Sequence, residues 1–186
     1  MIHLHCTKKL IAKLPLDKNG LLKDPQRDQP VLHEVSEANP LDHWHANLVL
    51  LQGRQCLMFV HDATRFPLFI PAVKKADLAG LDGLFADTFI SVLGKAVATE
   101  GQLERAWRWL GPLMCDGESD RSVQGSSTEY GKMIRYGLLD GGVAVVDLAP
   151  YSTSVWLADR PMGIKGRGYV WPIKEMLGLL GISKSA

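Results

Sequence analysis

Three runs of apolar and aromatic residues within the first 70 positions constrain the fold most strongly. The first two, residues 44–51 and 55–60, are separated by a short segment that contains Gly53. Glycine between two such runs is typical of a hairpin, because it adopts the left-handed backbone that tight turns require. A third run, residues 66–70, ends at Pro71. The pattern predicts a three-stranded antiparallel meander.

The rest of the chain predicts three further strands and several helices. Residues 2–6 form a short apolar stretch, and Thr7 is a suitable N-cap for the helical pattern that follows it. Apolar residues at three- and four-residue spacing predict further helices, and two short apolar runs predict strands at 113–115 and 143–148. Because strands and helices occur in groups, we expect an α+β fold. It consists of a small antiparallel sheet, made of the N-terminal strand and the meander 44–70, packed with three to five helices.

The length of the chain predicts a single domain over residues 1–186. A chain of this size buries about 70% of its unfolded surface and needs neither a disulfide nor a metal in order to fold. Residues 15–40 contain four prolines, scattered charges and no periodicity. This segment is predicted to be a long loop or a mobile segment, and a loop of that length is often functional.

Charge and cysteine content exclude some classes of function. The 21 basic and 20 acidic residues leave a net charge of +1, so the whole chain is not attracted to nucleic acid or to membranes. The three cysteines include no CxxC pair, which argues against a disulfide framework and favours a reducing compartment. We recognise neither a signal peptide nor an apolar run of about 20 residues. The expected location is the cytoplasm, without membrane contact.

All six histidines lie within the first 61 residues, and four of them form two His-x-His pairs. On a strand, residues two positions apart face the same side, so each pair can present two imidazoles to a metal ion. The alternative is that these histidines are separate polar positions beside a sheet. Because the chain has no HExxH motif and no zinc-type Cys/His spacing, we assign no metal and no cofactor. The histidines are His3, His5, His33, His43, His45 and His61.

Two segments are candidates for binding an anion. Thr7, Lys8 and Lys9 begin a predicted helix, where free backbone N–H groups and two ammonium groups suit a phosphate. The alternative is a capped helix with solvated lysines. The second segment begins at Arg121 and Ser122, where a guanidinium precedes a helical pattern. It is equally well explained as a structural loop in which the arginine pairs with a carboxylate.

A third basic segment, residues 163–171, mixes glycine, basic and aromatic residues. Stacking of a base on Tyr169 or Trp171, with Lys165 and Arg167 on phosphates, is the pattern of a nucleic-acid contact. The alternative is a loop that ends in a buried aromatic residue.

Short sequence blocks together resemble a known family. They are Thr-Lys-Lys-Leu at 7–10, Trp-His-Ala-Asn-Leu at 44–48 with Arg54 in the next turn, Phe-Val-His at 59–61 with Thr64, and Arg-Ser-Val at 121–123 with Gly125 and Ser126. These blocks are similar to those of a bacterial domain of unknown function. That family is sometimes seen alongside plasmid-encoded proteins named after an open reading frame of an Agrobacterium-type Ri plasmid.

The resemblance spans roughly residues 2–180 and implies a stand-alone bacterial cytoplasmic domain that mobile elements carry. It implies no activity. The chain differs from the family pattern in the long 15–40 segment and in Asp120, where the family often has asparagine or another polar residue.

Two functions follow from these observations. The first is a binding module for nucleic acid or a protein partner in a mobile-element context. The second is an enzyme that acts on a phosphate-bearing substrate, a nucleotide or RNA, with His45, His61 and Arg121 as catalytic residues. Its substrate would be held by six further residues: Thr7, Lys8, Lys9, Asn47, Arg54 and Ser122. The sequence does not decide whether the chain is an enzyme, and it does not indicate an oligomeric state.

Overall fold

A five-stranded sheet forms the centre of the computed structural model, which describes residues 1–23, 39–164 and 166–181. Its strands lie in the order β4-β3-β2-β1-β5. The antiparallel meander β2–β3–β4 is the one predicted from the sequence, with strand bounds shifted by one residue at some ends. The strands are β1 (Ile2–Cys6), β2 (His43–Leu51), β3 (Arg54–His61), β4 (Pro67–Ile70) and β5 (Leu113–Asp116).

The N-terminal strand β1 pairs parallel with β2 on one side and with β5 on the other. The α+β class is confirmed, but the sheet is mixed rather than purely antiparallel. A parallel neighbour requires a long return connection, and the residues between β1 and β2 are long enough to provide one. Because β1 and β2 run in the same direction, His3 lies beside His43 and His5 beside His45.

The described part of the chain contains seven α-helices around the sheet, more than the three to five expected. A π-helical turn (Arg135–Leu139) follows the fifth helix, and a small hairpin, β6 (Met162–Ile164) with β7 (Gly168–Val170), precedes the last. The helices are α1 (Lys8–Ile11), α2 (Lys75–Ala79), α3 (Leu81–Lys95), α4 (Glu100–Trp109), α5 (Arg121–Ile134), α6 (Pro150–Ala158) and α7 (Pro172–Gly181).

The strand predicted at residues 143–148 is wrong. This stretch contains a 3-10 turn (Val145–Asp147). Val145 is buried there while Val143 and Val146 are exposed, so the apolar run does not form a buried strand.

The two faces of the sheet pack against different helices. Alternate residues of β2, including Trp44 and Leu48, belong to a core that the aromatic rings of α3 complete. The intervening residues, which include His45 and Val49, point to the opposite face. There a second core lies between the sheet and α5, and Tyr130 is its largest fully buried side chain.

The predicted 15–40 loop is only partly described, because residues 24–38 lie outside the described residues. Its first part forms a turn against the edge of β5, where the Cys115 amide donates to the Gly20 carbonyl at 2.8 Å. Gly20 has φ +82°, and a Cβ there would lie 2.5 Å from the Cys115 carbonyl oxygen. Glycine is therefore required at this close approach.

In the part of the chain that the structure describes, no helix combines the length and apolar character needed to cross a membrane.

Candidate functional site

The parallel pairing of β1 with β2 places four histidines side by side on the α5 face. Ring centroids of His3 and His43 lie 5.2 Å apart, those of His5 and His43 5.3 Å, and those of His5 and His45 5.0 Å. The two His-x-His pairs recognised in the sequence therefore form one cluster. Of the other two histidines, His61 is described below and His33 lies outside the described residues.

His5 connects a carboxylate to a surface histidine. Its Nδ1 lies 2.8 Å from Asp116 Oδ1, and because a carboxylate can only accept, this nitrogen carries the hydrogen. Its Nε2 lies 3.1 Å from Nδ1 of His43, whose ring is half exposed. Asp116, His5 and His43 thus form a hydrogen-bonded chain from the sheet to solvent.

His45 attaches the start of α5 to the sheet. Its Nδ1–H donates to Asp62 Oδ1 at 2.7 Å, and its Nε2 accepts the backbone N–H of Asp120 at 2.7 Å. The first bond leaves Nε2 without a hydrogen, which is the state that the second bond requires. Both ring nitrogens of His45 are consequently occupied.

Asp120 is the N-cap of α5. Its Oδ1 accepts from the amides of Ser122 at 2.6 Å and Val123 at 3.3 Å, two of the free donors at the helix start. The Ser122 amide above all holds the pKa of Asp120 below its usual range. Asp120 therefore stays ionised and caps the helix.

Arg65 is a buried arginine that the sequence analysis did not single out. It donates from Nη1 to the Asp62 carbonyl at 2.7 Å and from Nη2 to Ser122 Oγ at 3.1 Å. Burial lowers its pKa, and the neighbouring Asp120 and Asp62 oppose that effect. Its burial could not be predicted from the sequence, because it lies in a turn between two strands and turn arginines are ordinarily solvated.

A cavity of about 100 Å³ lies between the histidine cluster and α5. We call it the polar cavity. Ser127 borders it and is 4% exposed, and its buried hydroxyl has no hydrogen-bond partner among the described residues. Thr7 Oγ1 donates to Asn47 Oδ1 at 3.2 Å, an arrangement that leaves the Asn47 amide hydrogens available. The lining residues are His5, Thr7, His45, Ala46, Asn47, Gln124, Ser127 and Thr128.

Three of the predicted site residues, His45, Thr7 and Asn47, meet at the polar cavity. Ser122 lies beside it, in the first turn of α5, bound to Arg65. The predicted cations do not line it: Lys8, Lys9 and Arg121 are exposed at helix starts, and Arg54 is exposed at the β2–β3 turn.

His61 lies on the other face of the sheet from His45. It stands opposite Trp44 in the β2–β3 ladder, and the two ring centroids are 4.9 Å apart. Its Nδ1 accepts from Thr64 Oγ1 at 2.8 Å and its Nε2 donates to the Pro40 carbonyl at 3.2 Å. Burial lowers the pKa of His61 to about 4. His61 is therefore a neutral residue packed in the core, and it does not face the cavity that His45 lines.

Neither the histidine cluster nor the third basic segment provides a free set of ligands. Among the described residues, no group of three or more His, Cys, Asp or Glu side chains is placed to hold a metal ion. In the basic segment, Lys165 lies outside the described residues. Arg167 donates to the Ala63 carbonyl and to Glu175, each at 3.1 Å, while Tyr169 is exposed.

The sheet, its two helical layers and the polar cavity define a small α+β protein with a cleft beside one helix. Residues 3–175 match the family model described as a domain of unknown function, DUF6933, and the chain belongs to that family. No curated protein and no solved structure matches the chain. The resemblance to a domain of unknown function is thus confirmed at the level of the family, while the bacterial origin and plasmid association stay predictions.

Proposed function

We propose that this chain is a binding module for a partner protein, and that the polar cavity receives one uncharged polar side chain of that partner. The observation that carries the proposal is the buried Ser127 hydroxyl, which has no hydrogen-bond partner among the described residues. A buried polar group left unpaired costs about 1–3 kcal/mol. A ligand that bonds to this hydroxyl would remove that cost.

The size of the polar cavity supports a single side chain as its occupant. Small-molecule and cofactor sites usually enclose about 300–1,000 Å³, whereas this cavity measures about 100 Å³. The space suits a group of a few atoms that belongs to a larger molecule. A partner that covers the surrounding surface would supply such a group.

The charge around the cavity favours a neutral group over a phosphate. None of the described residues that line it is a lysine or arginine, and two carboxylates, Asp62 and Asp116, lie behind the lining histidines. The nearest buried cation, Arg65, is directed to the Asp62 carbonyl and to Ser122. A phosphate would lie near these two carboxylates, which would repel it, and this argues against the nucleic-acid version of a binding module and against a phosphate-bearing substrate.

The hydrogen bonds of the histidines favour binding over acid–base catalysis. A general acid or base must have a nitrogen within reach of the proton that it transfers. Both nitrogens of His45 are occupied by Asp62 and Asp120, and both nitrogens of His5 by Asp116 and His43. The two rings are therefore held as fixed walls of the cavity, and the neutral hydroxyl and amide groups are left to recognise the ligand.

The proposal is tested by NMR titration of the ¹⁵N-labelled protein with acetamide, the isolated side-chain group of asparagine. We expect the amide signals of Asn47, Ser127 and Thr128 to shift at millimolar acetamide. Ser127→Ala should reduce the affinity several-fold, because it removes the unpaired hydroxyl.

The matched control is Ser126→Ala, since Ser126 is buried in the same helix but donates to the Ser122 carbonyl and does not line the cavity. This variant should bind acetamide as the wild type does. The proposal fails if acetamide shifts none of the lining residues, or if inorganic phosphate shifts them at lower concentration.

A further inference from the structure

Strand β2 extends well beyond its parallel neighbour β1. The two strands are paired from His3 and His43 to Cys6 and Ala46, and the last bond runs from the Thr7 amide to the Ala46 carbonyl at 3.1 Å. In the described ranges no strand pairs with β2 on this side after Ala46. The second half of β2 therefore has an open edge.

The backbone groups that face this edge follow from the alternation of the ladder. The Asp62 amide donates to the His43 carbonyl, so the odd-numbered residues of β2 bond to β3. The even-numbered residues face the other way, as the bond between Thr7 and Ala46 shows. Consequently the N–H and C=O groups of Leu48 and Leu50 point to the open edge, and the Leu50 side chain is 53% exposed.

A groove of about 440 Å³ runs between this edge and the C-terminal half of α5. Its cations are Lys132 and Arg135, and none of the described residues that line it is acidic. Lys132 donates to Glu129 of its own helix at 2.7 Å, while Arg135 has no ion pair within the described residues. The lining residues are Asn47, Leu48, Val49, Leu50, Leu51, Ser127, Thr128, Gly131, Lys132, Arg135 and Tyr136.

We propose that the open edge of β2 docks an extended, acidic segment of a partner protein. Such a segment would add a strand beside β2, with main-chain bonds to Leu48 and Leu50. Arg135, assisted by Lys132, selects carboxylates on the segment. Exposed apolar surface on Leu50 and on Tyr136, which is 67% exposed, supplies contact area.

The charge of the groove also argues against a second copy of this chain as the occupant. Two copies paired edge to edge through β2 would bring Lys132 and Arg135 of each toward the same cations of the other. Like charges across such an interface are unfavourable. An acidic strand would instead be attracted by Lys132 and Arg135.

The groove goes beyond the polar cavity and does not depend on what the cavity binds. The two adjoin, because Asn47, Ser127 and Thr128 line both. Loss of acetamide binding would overturn the proposal for the cavity and leave the strand-docking proposal standing.

Fluorescence anisotropy with a blocked, labelled octapeptide of alternating valine and glutamate tests the docking. We expect it to bind more tightly than the matching valine–lysine peptide. A central proline, which removes one main-chain donor, should weaken binding of the acidic peptide. Arg135→Glu should weaken it by about 2- to 10-fold, the range expected for an exposed ion pair turned into a repulsion.

The matched control is Arg108→Glu, the same change at an exposed arginine of α4, a helix that packs against the core on the other face of the sheet. It should leave the affinity unchanged. In the peptide complex the amides of Leu48 and Leu50 should exchange with solvent more slowly.

Three results would overturn the docking proposal. One is equal binding of the acidic and basic peptides, and another is an equal loss of affinity in the two arginine variants. The third is a concentration-dependent dimer in sedimentation that protects the same amides without peptide, which would assign the edge to a second copy.

Discussion

At the scale of single residues, His61 shows how burial can suppress an ordinary titration. Its ring is enclosed between Trp44, Thr64 and Pro40, and its pKa is lowered from 6.5 to about 4, mainly by loss of solvation. In the unfolded chain the same histidine takes up a proton near pH 6.5. Folding is therefore penalised as the pH falls between these two values.

We predict that His61 makes the protein less stable in acid. Above pH 6.5 the ring is neutral in both the folded and the unfolded chain, so His61 does not reduce the free energy of unfolding. Between pH 6.5 and about 4 the unfolded chain binds a proton that the folded chain does not, and the free energy of unfolding falls. The free energy of unfolding should fall in this window by up to about 1.4 kcal/mol per pH unit on account of this one group. Urea unfolding from pH 8 to pH 4 measures it.

His61→Gln supplies the comparison, because it keeps a polar group and removes the titration. The variant should be less stable than the wild type at pH 8, and the difference between the two should shrink toward pH 4. A constant difference across this range would contradict the prediction.

Residue-scale patterns also mark the limit of what the sequence predicts at the site. The His-x-His spacing correctly predicted paired imidazoles on one face, since strand geometry depends only on local alternation. That His45 and His61 face opposite sides depends on the β2–β3 register, which pairs His61 with Trp44. The burial of Arg65 depends on contacts with residues more than 50 positions away, such as Ser122. No local pattern carries that information.

At the scale of secondary-structure elements, the start of α5 connects the sheet to the cavity wall. His45 holds the backbone of Asp120, and the Asp120 side chain caps the helix that carries Ser127. The cap and the cavity are thus parts of one element, and loosening the first turn of α5 would move the cavity wall.

We predict that Asp120→Ala destabilises the protein by about 1 kcal/mol, the usual cost of losing an N-cap side chain. Asp120→Asn should lower the free energy of unfolding by no more than about 0.3 kcal/mol, because asparagine caps a helix as well as aspartate does. Chemical denaturation of both variants is the measurement. If the asparagine variant is as unstable as the alanine variant, the charge of Asp120 near Arg65 matters more than the cap.

The elements themselves could be predicted where periodicity is strong, as in the meander and in α3. The parallel placement of β1 could not, because nothing in a short apolar strand indicates the direction of its neighbours. The apolar run at 143–148 was predicted wrongly because its β-branched residues favour strands. Among the described residues this stretch pairs with no strand, and the Gln52 side chain bonds its backbone at Val143 and Val145 instead.

At the scale of the whole molecule, one sheet separates two cores. The core around Trp44 and the core around Tyr130 share the strands β2 and β3, whose alternate residues enter each. Neither core can lose its packing without exposing one face of the same strands. The family membership and the α+β class are established, and the prediction of a single domain has a direct test.

We predict one cooperative unfolding transition. In urea, the midpoints followed by far-UV circular dichroism and by tryptophan fluorescence should coincide, because Trp44 reports the first core and Trp156 packs against the second. Separate midpoints would show that the two faces unfold independently.

The position of β1 in the sheet also determines when the molecule can be assembled. Its two neighbours come later in the chain, and the bond between His5 and Asp116 joins residues 111 positions apart. A growing polypeptide therefore carries β1 with one side unfilled until β5 has been made, while the hairpin β2–β3 can close as soon as its turn is present. Closure of this sheet is a late, long-range event, and such events are slow because a large loop must be ordered first. The strand that comes earliest in the chain is thus among the last to gain its full set of partners.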